Sequence, residues 1–157
     1  MIWGPGDSRM KKLFYGIANK KMPLIGNGKT NLHWVMVDDL ARAFRLAGEK
    51  TEINNEVFII AGKESISMKK LFTEVGKAYG VKAPFLQVPA LPVQLLGTVV
   101  ETICKPLGIE PPIYRRRVDF FTKTRWFDWS KAKELLNYEP SRSFEEEVKS
   151  IAKSFPI

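Results

Sequence analysis

The 157-residue sequence predicts an α/β fold in a single domain. Three observations carry that reading. Strand-like and helix-like patterns alternate along the chain, several helices announce themselves with capping residues, and no repeat or low-complexity tract breaks the series.

The elements follow in order. Asp7 or Ser8 caps a helix to about Lys20, with Met10, Leu13, Phe14 and Ile17 on one face. Met22–Ile25 reads as a short strand, and Asn27-Gly28 as a tight turn whose residues tolerate positive φ. His33–Val37 reads as a strand. Asp38-Asp39 then opens a helix that stops near Gly48, its carboxylates facing free N–H groups and the positive dipole end. Val57–Ile60 is a compact apolar strand, and Ser67 caps a helix that ends at Gly80. Phe85–Val88 is a further strand. Pro89 and Pro92 fence off a helix from about Val93 to Lys105, and Pro106–Pro112 is a loop with three prolines. Tyr114–Thr122 reads as helix, Arg125–Asp128 as extended, and Ser130–Leu136 as helix. Tyr138-Glu139-Pro140 breaks the chain before a last helix, which the capping-box spacing Ser143 to Glu146 begins.

Composition narrows the function classes. With 45% hydrophobic and 27% charged residues the chain is of globular type. Its apolar runs, such as Val93–Val100, fall short of the roughly 20 residues of a membrane span. The first residues do not read as a signal peptide, so the cytoplasm is the expected location. The single Cys104 excludes an intrachain disulfide, and with His33 as the sole histidine no metal site is expected. A net charge of +8 invites a nucleic-acid reading, but the positives are scattered and no RNA-binding or zinc-finger signature accompanies them. Nucleic acid is therefore not the expected partner. Most of these charges read as solvated faces, able to attract an anionic cofactor or an acidic chain.

The order of short motifs resembles one family, the extended short-chain dehydrogenases/reductases. Ile2-Trp3-Gly4-Pro5-Gly6-Asp7 resembles their loop beside the nicotinamide, and Pro23–Lys29 their substrate-side hairpin. Trp34–Ala41 is similar to a strand-to-helix motif of these enzymes, and Val57–Gly62 with Ser67 to the strand and cap that follow. Phe127–Lys133, Leu136–Pro140 and Ser143–Glu146 resemble their C-terminal ending. The proline-rich loop and Tyr114–Val118 lean toward the hydroxysteroid-dehydrogenase and epimerase/dehydratase branch. The resemblance implies the C-terminal, mixed α/β substrate-binding portion of that fold, without the complete Rossmann sheet. It covers residues 1–157 as one substrate-binding domain, and implies NAD or NADP as the cofactor of the parent family.

The departures bear on activity. No Gly-x-Gly-x-x-Gly or Gly-x-x-Gly-x-x-Gly occurs, so the pyrophosphate-binding turn is missing. The family's acid/base is a tyrosine with a lysine four residues on, the cation lowering the phenol's pKa for proton transfer. Here Tyr15 has Asn19 at that spacing, Tyr79 has Ala83, Tyr114 has Val118, and Tyr138 has Arg142. No catalytic residue is assigned, and no cofactor is expected on this chain alone.

By resemblance, Ile2, Trp3, Gly4 and Pro5 lie at the cofactor once the missing half is supplied; otherwise they form a frayed end. Met22, Pro23 and Leu24 line the substrate pocket by resemblance, or fill the core as apolar strand residues. Period-two alternation puts Trp34 and Met36 on one strand face, which packs or meets ligand. Nucleotide-sugar members commonly carry an arginine two residues before this tryptophan, where Leu32 stands, and that favours a less charged substrate. Arg116 is the arginine assigned to substrate within Arg115–Arg117; helical neighbours 100° apart cannot all reach one ligand. Asp39 and Asp128 read as caps, and His33 receives no catalytic role.

The expected function is thus the substrate-binding portion of an NAD(P)-dependent oxidoreductase or epimerase, inactive alone and a natural truncation or split. The alternative is a non-catalytic small-molecule or protein-binding module. The expected partners are a small-molecule substrate and either a second copy or a separate Rossmann-half chain.

Overall fold

The computed structural model describes residues 1–84, 86–106, 108 and 115–156, with 115–117 through their backbone alone. In chain order the elements are β1 (Ile2–Trp3), α1 (Ser8–Ala18), β2 (Leu24–Ile25), β3 (Asn31–Leu32), β4 (Val35–Met36), α2 (Val37–Glu49) and β5 (Ile66–Ser67). They continue with α3 (Met68–Ala78), β6 (Gln87–Val88), α4 (Ala90–Cys104), α5 (Arg115–Thr122), α6 (Ser130–Leu136) and α7 (Phe144–Lys153).

The strands form three short pairs. β1 runs parallel to β4, β2 parallel to β6, and β3 antiparallel to β5. The expected hairpin at Asn27-Gly28 is therefore corrected: β2 and β3 flank a turn but pair with other strands. Gly26 and Gly28 both take positive φ in that turn, 81° and 69°, a conformation glycine adopts without steric cost. The strand expected over His33–Val37 is shorter, β4 covering Val35–Met36 alone, because α2 already begins at Val37.

Four helices begin as their sequences predict. The Asp7 carboxylate accepts the Arg9 N–H at the start of α1, and Ser67 accepts the Lys70 N–H at the start of α3. Ser143 and Glu146 complete a reciprocal capping box on α7. Asp128 accepts the Ser130 N–H at 2.9 Å ahead of α6, and that bond holds its carboxyl below the usual range. Asp39 is the exception. No side chain caps α2; instead Asp39 turns inward, 1% exposed, and accepts from Arg42 and from the Ser141 N–H and hydroxyl. Its role is a tether between α2 and the loop before α7.

Pro92 sits inside α4 rather than before it, in the first turn, where a missing N–H leaves no bond unmade. The main core joins β1, β3 and β4 to α1, α3 and α7, with Trp3, Phe14, Leu32, Trp34, Phe72 and Ile151 at its centre. A smaller cluster joins Ala43 of α2 to Ala132, Leu136 and Tyr138, with Phe58 and Ile60 against it.

Val57–Ile60 departs from expectation in a telling way. It alternates as a strand does, with Val57 and Ile59 exposed (81% and 48%) and Phe58 and Ile60 turned to the second cluster. It nevertheless makes no ladder with any described strand. A strand is defined by its partner, and no described strand pairs with this segment.

Candidate functional site

The Gly-Pro-Gly loop is anchored, not frayed. Trp3 is buried between Trp34 and Phe144, with ring centroids 4.8 and 5.4 Å away in stacked geometry. Its indole N–H donates to the Glu147 carboxylate at 3.1 Å. Burial pushes the Glu147 carboxyl up to about 7, with the Trp3 hydrogen bond and Arg142 opposing and Asp39 adding to the rise. Gly4 touches α2 so closely that a Cβ there would lie 2.6 Å from a Val37 methyl. The Gly6 N–H donates to the Ser154 hydroxyl at 3.2 Å, which ties the loop to the end of α7.

Of the residues assigned to cofactor, Trp3 thus belongs to the core, while Ile2 (50% exposed) and Pro5 face outward. No Gly-rich turn cradles a pyrophosphate, so the residues present do not by themselves fit NAD or NADP.

Of the residues assigned to substrate, Leu24, Trp34 and Met36 share the main core, with Met22 packed against it. Leu24, Trp34 and Met36 are buried, at 1%, 3% and 0% exposure, and Val35 on the opposite strand face is buried as well. Trp34 and Met36 belong to the main core, whereas Val35 on the opposite face belongs to neither core cluster and lines a groove with Ile2 and Phe44. Met22 and Pro23 are half-buried, Met22 lying under Gly16 of α1. The Arg116 side chain and Tyr114 lie outside the described residues. The Trp34 indole nitrogen is buried without a hydrogen-bond partner among the described residues.

Two cavities stand out. One, about 700 Å³, lies where the β2 turn, β6, α4 and α5 meet. Gly26, Asn27, Gln87, Ala90, Gln94 and Thr122 contribute to its wall, and none of them is charged. Gln87 holds the shape by donating to the Gly26 carbonyl at 2.8 Å. Sequence reasoning missed this cleft; the signal was the strand-to-helix junction Val88-Pro89-Ala90 facing the Gly26-Asn27 turn. The second, about 370 Å³, is an apolar groove between β1, α2 and the unpaired segment, with Ile2, Phe44, Phe58 and Ile60 in its wall.

His33 is structural. It is 2% exposed, its Nε2 lies 2.9 Å from the Gly62 carbonyl, and its Nδ1 accepts the Phe127 N–H at 3.3 Å. Cys104 carries a free thiol. No group of three or more histidine, cysteine, aspartate or glutamate side chains among the described residues is placed to hold a metal. No helix among the described residues is long and apolar enough to cross a membrane.

Comparison with known proteins accounts for this geometry. An NAD-bound UDP-glucuronic acid 4-epimerase from Bacillus cereus superposes with a TM-score of 0.66 over 99% of this chain and 42% of its own, at 22% identity. The fold is thus the mixed α/β portion of a Rossmann-type enzyme, without the complete sheet. The chain belongs to the extended short-chain dehydrogenases/reductases, through a family model described as GDP-mannose 4,6 dehydratase that matches residues 10–151. Among curated relatives, a 3beta-hydroxysteroid-dehydrogenase/decarboxylase of Arabidopsis thaliana is 26% identical over 98% of this chain and 38% of its own length. A decarboxylating sterol-4-alpha-carboxylate 3-dehydrogenase of Saccharomyces cerevisiae is 29% identical over 94% of this chain and 45% of its own. The chain spans less than half the length of these relatives.

Proposed function

We propose that these 157 residues are the substrate-binding portion of a cytoplasmic NAD(P)-dependent dehydrogenase or epimerase. They are inactive until joined by a dinucleotide-binding half from outside them. The carrying observation is the segment Val57–Ile60: it keeps strand alternation, lacks a partner strand, and walls an apolar groove with Ile2 and Phe44. That face suits a Rossmann half, which would bring the Gly-rich turn and the Tyr-x-x-x-Lys pair that this sequence lacks. A second copy is the substitute partner for the same face.

The uncharged cleft of about 700 Å³ is the substrate end of the site. Its amides and hydroxyl suit a largely apolar molecule with a few hydrogen-bonding groups, in line with sterol-type relatives rather than a nucleotide sugar. Met22 and Pro23 border this region in sequence, and Arg116 is kept as the arginine that the resemblance assigns to substrate. Leu24, Trp34 and Met36 support it from the core.

Isothermal titration tests the proposal. NAD and NADP should give no saturable heat in the micromolar range with this chain alone. Saturable binding should appear once a chain carrying a Gly-rich βαβ unit and Tyr-x-x-x-Lys is mixed in. A micromolar isotherm with the chain alone refutes the reading.

A further inference from the structure

Helices α3 and α7 pack side by side, and their C-terminal ends frame a cleft of about 370 Å³. Lys77, Ala78 and Tyr79 line it from α3 and the residue that ends it, and Lys149, Ala152 and Lys153 line it from α7. The Tyr79 hydroxyl fixes its shape. It lies 3.0 Å from the Phe155 carbonyl and 3.4 Å from the Ala152 carbonyl, which ties the end of one helix to the end of the other.

Three lysines and no acid line this space. Lys149 and Lys153 stand one turn apart on α7, a like-charge spacing that weakens a helix. Neither makes an ion pair with a described residue. The acids within electrostatic reach are committed: Glu74 to Lys77 at 2.7 Å, Glu145 to Lys70 at 3.0 Å, and Glu146 to the Ser143 N–H and hydroxyl, each at 2.8 Å. The two helix ends supply partial negative charge, and Lys77 and Lys153 in their last turns answer it. Lys149, a turn further in, has neither role, so the cleft keeps an excess of positive charge.

We propose that this cleft binds a phosphate chain, the tail of a nucleoside polyphosphate or a free inorganic one. Ammonium groups act as point charges from several directions, which suits a terminal phosphoryl group carrying about −1.5 to −2 at pH 7. A planar carboxylate is matched best by the fork of an arginine, and no arginine lines the cleft. The volume lies within the roughly 300–1,000 Å³ of small-ligand sites, which favours a bounded ligand over a long acidic chain. A bound anion also relieves the repulsion between Lys149 and Lys153. The proposal rests on α3 and α7 alone, away from the residues assigned to cofactor, and is independent of the cofactor-half reading.

The test is isothermal titration of the full chain with inorganic tripolyphosphate, ATP, orthophosphate and polyglutamate at low salt. Tripolyphosphate should bind saturably in the micromolar range, and orthophosphate, with a single phosphoryl group, at least about tenfold more weakly. Lys149→Gln/Lys153→Gln should weaken tripolyphosphate by about tenfold or more, with circular dichroism unchanged. Lys131→Gln/Lys133→Gln removes the same net charge from α6, which packs on α2, and should bind as the parent does. Equal affinities for ATP and tripolyphosphate support a site for the chain itself, and tighter ATP supports a nucleotide tail. Absence of binding, binding that the α7 pair retains, or equal loss in the α6 pair overturns the proposal. Tighter binding of polyglutamate than of tripolyphosphate overturns it too, and assigns the cleft to an acidic polypeptide.

Discussion

Replacing Glu147 with glutamine should make the protein more stable at pH 8 while leaving its stability near pH 5 almost unchanged. The carboxyl is 4% exposed, and its environment raises it from 4.5 to about 7. The folded state therefore holds this proton up to about pH 7, while the unfolded chain releases it near pH 4.5. Because the folded state binds more protons between those values, its stability falls as pH rises through that window, and the loss is complete above pH 7. At 1.36 kcal/mol per pH unit, the penalty reaches about 3 kcal/mol. Glutamine keeps an oxygen for the Trp3 N–H but never ionises, so Glu147→Gln escapes the penalty. Urea unfolding followed by tryptophan fluorescence, on both proteins at pH 5, 6, 7 and 8, measures the effect. The difference between them should grow with pH from near zero to about 3 kcal/mol. A constant difference across this range would refute the reasoning.

Other substitutions probe contacts named above. Gly62→Ala would put a methyl 2.6 Å from the Trp34 carbonyl oxygen, and urea midpoints should show a loss of about 2 kcal/mol or more. Ser143→Ala removes the capping box of α7 and should lower stability by about 1 kcal/mol in the same assay. Tyr138→Phe leaves the buried Ala61 carbonyl without the hydroxyl 2.9 Å away, a loss of about 1–2 kcal/mol by calorimetry or urea.

The local signals translated well where one residue's chemistry acts on its immediate neighbours. Ser67 and the Ser143–Glu146 pair cap the helices they announce, and Leu13, Phe14 and Ile17 of the face expected for α1 are buried. The failures came where a distant partner decides. The Asp39 carboxylate carries the pattern of a cap, yet Ser141, 102 residues away, recruits it as a tether. The 700 Å³ cleft was not legible, because Gly26, Gln87, Gln94 and Thr122 meet only when four elements converge.

By itself, then, the sequence determined the fold class, the helix starts and the family, because caps, glycine turns and apolar periodicity are short-range properties read within a few residues. It also determined that a pyrophosphate-binding turn and a Tyr-x-x-x-Lys pair are missing, since each is a matter of residue identity at fixed spacing. Only the tertiary structure decided which strands pair, which carboxylates are buried and which apolar faces stay uncovered. Val57–Ile60 and α4 read in sequence as ordinary apolar elements, and their exposure follows from what packs beside them. Burial and pairing are set by partners far away in the chain, and no local pattern records whether such a partner is there.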